Sequence, residues 1–312
     1  MNSSTRILFP ARRTEATVTV LHVQRMPPAP TDPEASAPRG AQEPRPWLVI
    51  TDRTPFHPLD HAWPDQPGDT GQLLASADTL PVLDCLTAAR ADGGPVHVDT
   101  AIPVRRGAEG HCWYAAHVLD AALDEGRAHA LVGTQVELRV NARRRRALSA
   151  AHSACHLVGI ALNAALRDRW RKPVDTDGLG RPNFDSLAIS SSRLTEFGST
   201  DIHRLGSSLR RRGFVADGLA ERLPAIREQV AATLAGWLAL DAPISLYAHG
   251  DRLEDRRSWE CTLPEGTHRT WCGGTHPERT GEVAVDAVAL SLAEDGRSLT
   301  VTTSTRPRNA KP

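Results

Sequence analysis

The chain has 312 residues, 40% of them apolar, and its 37 basic residues are matched by 37 acidic ones. A soluble globular protein with room for two domains follows from that length and composition. Zero net charge excludes an overall basic coat for nucleic acid and leaves only a local patch. The five cysteines, Cys85, Cys112, Cys155, Cys261 and Cys272, are too sparse and odd in number for a disulfide framework. The opening MNSSTRILFPARR holds no apolar signal core, and no apolar run reaches the length of about 18 that a membrane span needs. The expectation is a protein of the reducing cytoplasm, where Cys272 can stay a thiolate.

In chain order, ATVTVLHVQ at 16–24 alternates and is rich in β formers, so it predicts a strand. Residues 26–46 are polar and rich in Pro and Ala, and predict a flexible surface loop. Strands are expected again at 46–51, 95–103, 112–119 and 136–140, separated by Gly- and Asp-rich breaks. The first ~145 residues therefore predict an antiparallel barrel or sandwich. The pattern then changes. NARRRRALSAAHSACHLVGIALNAALRDRW, at 141–170, has helical apolar spacing and predicts one long helix. A polar Gly/Ser stretch follows at 175–208. A second amphipathic helix is expected at 219–240, with Pro224 as a candidate start, and a β-hairpin at 283–303 turning at EDGRS. The fold class is α+β: a small antiparallel β-barrel over 1–145, then helices on an antiparallel sheet over 146–312.

Two short patterns carry the chemistry. His152 and His156, in AHSACH, are four apart on the predicted helix and share a face. Cys272 and His276, in WCGGTH, flank a Gly-Gly pair that permits a tight turn. Each pair alone is weak, since any amphipathic helix with two histidines gives HxxxH. Ser153 stands where HExxH has its glutamate, which disfavours a zincin-type protease. Together the pairs supply three imidazoles and a thiolate, the donor types of a Zn2+ site. The bland alternative is two core histidines, a buried thiol and a surface histidine. His276, in a loop, is the ligand freest to swing away.

The arrangement HSACHLVGIAL…CGGTH resembles the editing domain of alanyl- and threonyl-tRNA synthetases, which also occurs free as the AlaX-type trans-editing proteins. The segment TPFHPLDHAWPDQPGDTG, at 54–71, resembles that family's barrel motif through Phe56, Pro58, Gln66, Pro67, Asp69 and Gly71. An Arg-rich segment, Arg143 to Arg146, precedes the HxxxH pair in the same order, and the likeness runs over 55–290. The departures are His57 in place of a tyrosine, Pro64 and Asp65 in place of paired glycines, and an insertion around 60–63. They bear on substrate preference more than on the metal.

The resemblance implies a Zn2+-dependent hydrolase that cleaves the ester between an amino acid and the 3′-ribose of tRNA. With no aminoacylation core before the barrel, it would act in trans. The usual family task is removal of Ser or Gly from the alanine tRNA, because small side chains are hard to exclude by binding alone. A live alternative is a member specialised for a non-standard amino acid on the threonine tRNA, such as fluorothreonyl-tRNA. The candidate catalytic residues are Gln66, Asp69 and Thr275. Against these roles stand a barrel-loop hydrogen bond, a turn or cap, and a turn hydroxyl, respectively. RNA contacts would come from Arg143, Arg145 and Arg146, from Arg204, Arg210, Arg211 and Arg212, and from Trp271 stacking on the terminal adenine. Trp63 and Trp113 could also stack, though core packing suits them better. Cys155 points off the histidine face and reads as core, and the other three cysteines as small apolar residues. Two rivals remain. One is a non-catalytic RNA-binding module with structural zinc. The other is a metal-dependent hydrolase of small amino-acid esters or amides.

Overall fold

Alternation alone explains the first long strand. A computed structural model describes residues 3–28, 44–76 and 78–307, so most of the Pro-rich stretch expected as a loop at 26–46 lies outside the described residues. The chain divides into two compact units, one of Met1–Arg144 with Ala248–Arg256 and the other of Arg145–Tyr247 with Arg257–Pro312.

In the first unit the strands are β1 (Arg6–Ile7), β2 (Glu15–Arg25), β3 (Trp47–Thr51), β4 (Arg53–Thr54), β5 (Gly71–Ala75), β6 (Asp78–Ala91), β7 (His97–Val98), β8 (His111–Leu119) and β9 (Gln135–Val140). Val18 and Val20 of β2 point inward, two apart. A bulge between Val20 and His22 then shifts the parity, so the next buried valine is Val23. Six strands run antiparallel in the order β5-β9-β2-β3-β8-β6, and a β5–β6 pairing closes them into a barrel. Closure removes the sheet edges. Its interior is filled by Val18, Val20, Phe56, Leu73, Val136 and Leu138, among others.

Two sequence expectations are corrected here. The strand at 95–103 is only His97–Val98, followed by a 3-10 turn over Asp99–Ala101 in which Asp99 has φ +51°. The long strand β6, absent from the sequence reading, carries Pro81 and Asp84 and a shift at Val82/Asp84, which hide its alternation. A short helix α1 (Glu125–Ala130) is capped by Asp124, whose carboxylate accepts from the Arg127 N–H at 3.0 Å. The segment Ala248–Arg256 is tied to the N-terminus by Ile7 N–H to the Asp251 carbonyl at 2.7 Å and by Leu253 in a common core with Phe9 and Trp113.

The second unit is built on α2 (Ala142–Ala165), a 24-residue helix in which alanine or glycine at 147, 150, 151, 154, 159 and 161 lets neighbours approach closely. It is followed by α3 (Phe184–Ala188), β10 (Ile189–Thr195), β11 (Gly198–Arg204), α4 (Ser207–Arg211), α5 (Leu219–Ala239), β12 (Ile244–Ala248), β13 (Arg257–Leu263), β14 (Gly266–Trp271), β15 (Val283–Leu292) and β16 (Ser298–Pro307). One sheet has the order β10-β11-β16-β15 and another β12-β13-β14. The stretch 175–208, expected only as polar and rich in Gly and Ser, contains α3, β10 and β11. Its strands read as polar because Ser192, Ser199 and Asp201 are buried and bonded to one another. Helix α5 starts at Leu219 after Gly218 (φ +65°), with Pro224 inside it rather than at its start. Leu219, Ile226, Val230, Leu234 and Trp237 form its buried face. No helix among the described residues is long and apolar enough to cross a membrane.

Candidate metal centre

Helical spacing sets His152 and His156 one turn apart on α2, with ring centroids 5.0 Å apart. Strand β14 ends at Trp271, and the Cys272 N–H donates to the Arg257 carbonyl at 3.0 Å, which starts the loop carrying Cys272 and His276. The four side chains converge. Their ligand atoms all lie within 4.8 Å of one another. Cys272 Sγ is 3.4 Å from His152 Nε2 and 3.1 Å from His276 Nε2. Zinc bonds of about 2.1 Å to nitrogen and 2.3 Å to sulfur give tetrahedral edges of about 3.4–3.7 Å, close to these separations. His156 Nε2 is buried and meets no partner among the described residues, as a donor atom kept for an ion does. The four residues therefore fit a metal ion.

Electrostatics favours the binding-competent form. Burial pushes His152 down to about 3. Burial, and then the neighbouring His152, hold His156 well below its usual value. Both rings are neutral near pH 7, the state in which imidazole donates to a metal. Trp259 stacks on His156 at 4.9 Å and covers it.

A second stripe on α2, three residues before each histidine, clamps the loop. Ser149 Oγ lies 2.8 Å from Thr275 Oγ1, and Ser153 Oγ lies 2.9 Å from His276 Nδ1. A metal ion on Nε2 would leave Nδ1 to carry the proton and donate it to Ser153. His276, expected to be free to swing, is thus buried and pinned. The signal was present in the sequence as Ser149 and Ser153, spaced like the two histidines.

Thr275 is placed as a loop support bonded to Ser149. Gln66 and Asp69 belong to the first unit, whereas the four ligands belong to the second. Gln66 is fully buried, and its N–H donates to Asp65 Oδ1 at 2.6 Å. The Asp69 carboxylate accepts from the His57 N–H at 2.5 Å, and the Asp69 N–H donates to the His57 carbonyl at 2.9 Å, so Asp69 ties together the ends of the loop between them.

The arginines divide by burial. Arg143, Arg146, Arg204, Arg210, Arg211 and Arg212 are exposed. Arg145 is only 6% exposed, because it falls on the buried face of α2, and it is removed as a surface phosphate contact. Arg144 is also engaged, donating to the Gly68 carbonyl at 2.6 Å. Beside the second cluster, Arg171 N–H donates to the Gly213 carbonyl at 2.9 Å, and a cleft of about 380 Å³ opens near Arg169, Arg171 and Arg222. Trp271 is 60% exposed next to Cys272. Trp113 is core, but Trp63 is 39% exposed and is not. Cys155, expected in the core, faces the Asp201 carboxylate at 3.5 Å and is half-buried.

Sequence reasoning missed one part of this region. The α2 face that carries His152 and His156 continues to Gly159 and Asn163, at spacings of four, three and four. Asn163 donates to Asp177 Oδ2 at 3.1 Å and accepts from the Asp185 N–H at 2.9 Å. Asp185 Oδ1 in turn accepts from His203 Nε2 at 2.8 Å. A carboxylate is thereby held against α2 about one turn along from His156. Among protein-family models, none matches the chain.

Proposed function

We propose that this chain is a zinc-dependent aminoacyl-tRNA deacylase acting in trans, hydrolysing Ser or Gly from mischarged alanine tRNA. One observation carries the reading: HxxxH on a helix and CxxxH in a loop, more than a hundred residues apart, bring three imidazoles and a thiolate to one point. The resemblance of HSACHLVGIAL…CGGTH to the editing domains supplies the substrate class. Zinc bound there would polarise the ester carbonyl or lower the pKa of a water. His152, His156, Cys272 and His276 hold the ion. Ser153 fixes the tautomer of His276, and the Ser149–Thr275 contact sets the loop. Trp271 offers a face for the terminal adenine, and Arg210, Arg211 and Arg212 offer charge for phosphates.

The test is deacylation of purified charged tRNAs: Ser-, Gly- and Ala-tRNA for alanine, and Ser-, Thr- and fluorothreonyl-tRNA for threonine. Each is run with wild type and Cys272→Ala. Hydrolysis of one species by wild type alone establishes the activity and names the substrate. The fluorothreonyl arm covers the specialised member to which His57 and Pro64-Asp65 point. A second reading is favoured by the saturation and burial of the donor set, since four protein ligands leave no open position. It is a non-catalytic RNA-binding module with structural zinc. Full zinc occupancy with no hydrolysis of any tRNA would select it.

A further inference from the structure

Asp185 has one carboxylate oxygen bonded to His203 and the other without a hydrogen-bond partner among the described residues, and it lies against the helix that carries His152 and His156. Gly159 lies three residues beyond His156, about 4.5 Å along the axis of α2. The Asp185 carboxylate rests on Gly159: a methyl group there would sit 2.9 Å from its Cγ and Oδ2. Only glycine lets it come this close to the helix. Asn163 Oδ1 holds its backbone N–H at 2.9 Å, and His203 Nε2 holds its Oδ1 at 2.8 Å.

His203 is buried in its own right, with Phe184 stacked at 5.3 Å. Its Nδ1 meets no partner among the described residues, so the ring needs only the Nε2 proton to make its bond. Asp185 Oδ2 has no hydrogen-bond partner among the described residues, and the side chain is 34% exposed. The nearest arginine in the same segment, Arg181, pairs with Glu265 at 3.2 Å instead. The charge of Asp185 is felt at His156 and at His268, opposing the effect of burial on both. Among the described residues no arginine or lysine pairs with the Asp185 carboxylate, and its influence reaches His156.

We infer that Asp185, oriented by His203 and seated on Gly159, binds the α-ammonium group of the aminoacyl ester. This inference rests on the deacylase reading. Every aminoacyl ester carries an ammonium on the carbon next to its carbonyl. A carbonyl directed at the cluster thus brings a cation into the neighbourhood of Asp185. Charge-assisted hydrogen bonds of this kind are about twice as strong as neutral ones. The substrate class is then esters with a free amino group, and N-blocked or hydroxyacyl esters are rejected. His203 is a positioning residue.

The test uses the zinc-loaded full chain and two non-hydrolysable probes. One is adenosine bearing serine through a 3′-amide. The other is its counterpart made with glyceric acid, in which a hydroxyl replaces the ammonium. By calorimetry, wild type is expected to bind the seryl probe at least tenfold more tightly. Asp185→Asn is expected to erase that preference, with zinc content and affinity for the glyceryl probe unchanged. In deacylation, Asp185→Asn raises KM more than it lowers kcat, and His203→Gln gives a smaller effect in the same direction. Equal binding of both probes by wild type overturns the inference without recourse to any variant. So does a preference that survives in Asp185→Asn, or a loss confined to kcat. If wild type deacylates charged tRNA yet shows no preference, this inference alone falls. If it binds neither probe and hydrolyses no tRNA, the deacylase reading falls as well.

Discussion

Ser153 Oγ and His276 Nδ1 lie 2.9 Å apart across 123 positions of sequence. The hydroxyl sits between the two helix histidines, at the position where a protease motif has its glutamate. Here it pins the loop histidine through Nδ1. Such outer partners are worth about 10–100-fold in metal affinity. Ser153→Ala should weaken zinc binding by about that factor with the fold intact. Competition against a chromophoric chelator checks this, and an unchanged affinity would remove Ser153 from the account.

Removal of the metal or of a ligand should act on stability and activity together. Cys272→Ala and His156→Ala are each expected to drop zinc stoichiometry from one towards zero and to abolish deacylation. An ion that binds only the folded state stabilises it by mass action. Wild type treated with a chelator should therefore melt at lower temperature, and Cys272→Ala should melt alike with or without it. Retained hydrolysis in a metal-free variant would defeat the mechanism.

His117 gives the first unit an acid-sensitive core. The ring is fully buried, Nδ1 lies 2.9 Å from the Val49 carbonyl, and Nε2 lies 2.8 Å from Thr54 Oγ1. Burial pushes it down to about 4 from 6.5. The folded-state value is depressed, so its contribution is intact above pH 6.5. It is lost as pH falls from 6.5 towards 4, because the unfolded chain takes the proton first. At pH 5 this amounts to about 2 kcal/mol. Urea unfolding of wild type and His117→Asn at pH 7 and pH 5 should show a smaller pH difference in the variant. Identical differences would assign the acid sensitivity to other groups.

Replacing Arg210, Arg211 and Arg212 with alanine should weaken tRNA binding and lower the slope of log K against log salt by about one per lost phosphate contact. Arg145→Ala should do something different. Its side chain is buried, so a fall in Tm without a change in salt slope is expected. An unchanged affinity in the triple variant would take that patch out of the RNA surface.

Much of this protein could be read without its structure. Helix α2 was legible because small and apolar residues recur at helical spacing over more than twenty positions, and local periodicity does not depend on the rest of the chain. Strands β2 and β9 were legible because one face is more buried than the other, and β3 and β8 because they are nearly continuous apolar runs buried on both faces. The four residues of the candidate metal cluster were legible from donor type and spacing. The sequence said less where burial is unusual. Strands β10 and β11 were hidden by buried Ser and Asp, which satisfy one another only when the strands pair. Strand β6 was hidden by Pro81 and a register shift.

Tertiary structure alone decided three things. Convergence of Cys272 and His276 on α2 requires β13 and β14 to carry the loop there, and no local pattern encodes that. Burial of Arg145 amid exposed arginines depends on which face of α2 meets the core. Asp185 and His203, in a stretch that reads only as polar and rich in Gly and Ser, come together because α3 and β11 lie side by side, with Asp185 seated on Gly159. Donor chemistry and helical period are local properties of a chain. Which charged groups end up buried, paired or free is a property of contacts between distant segments, and it exists only once the chain has folded.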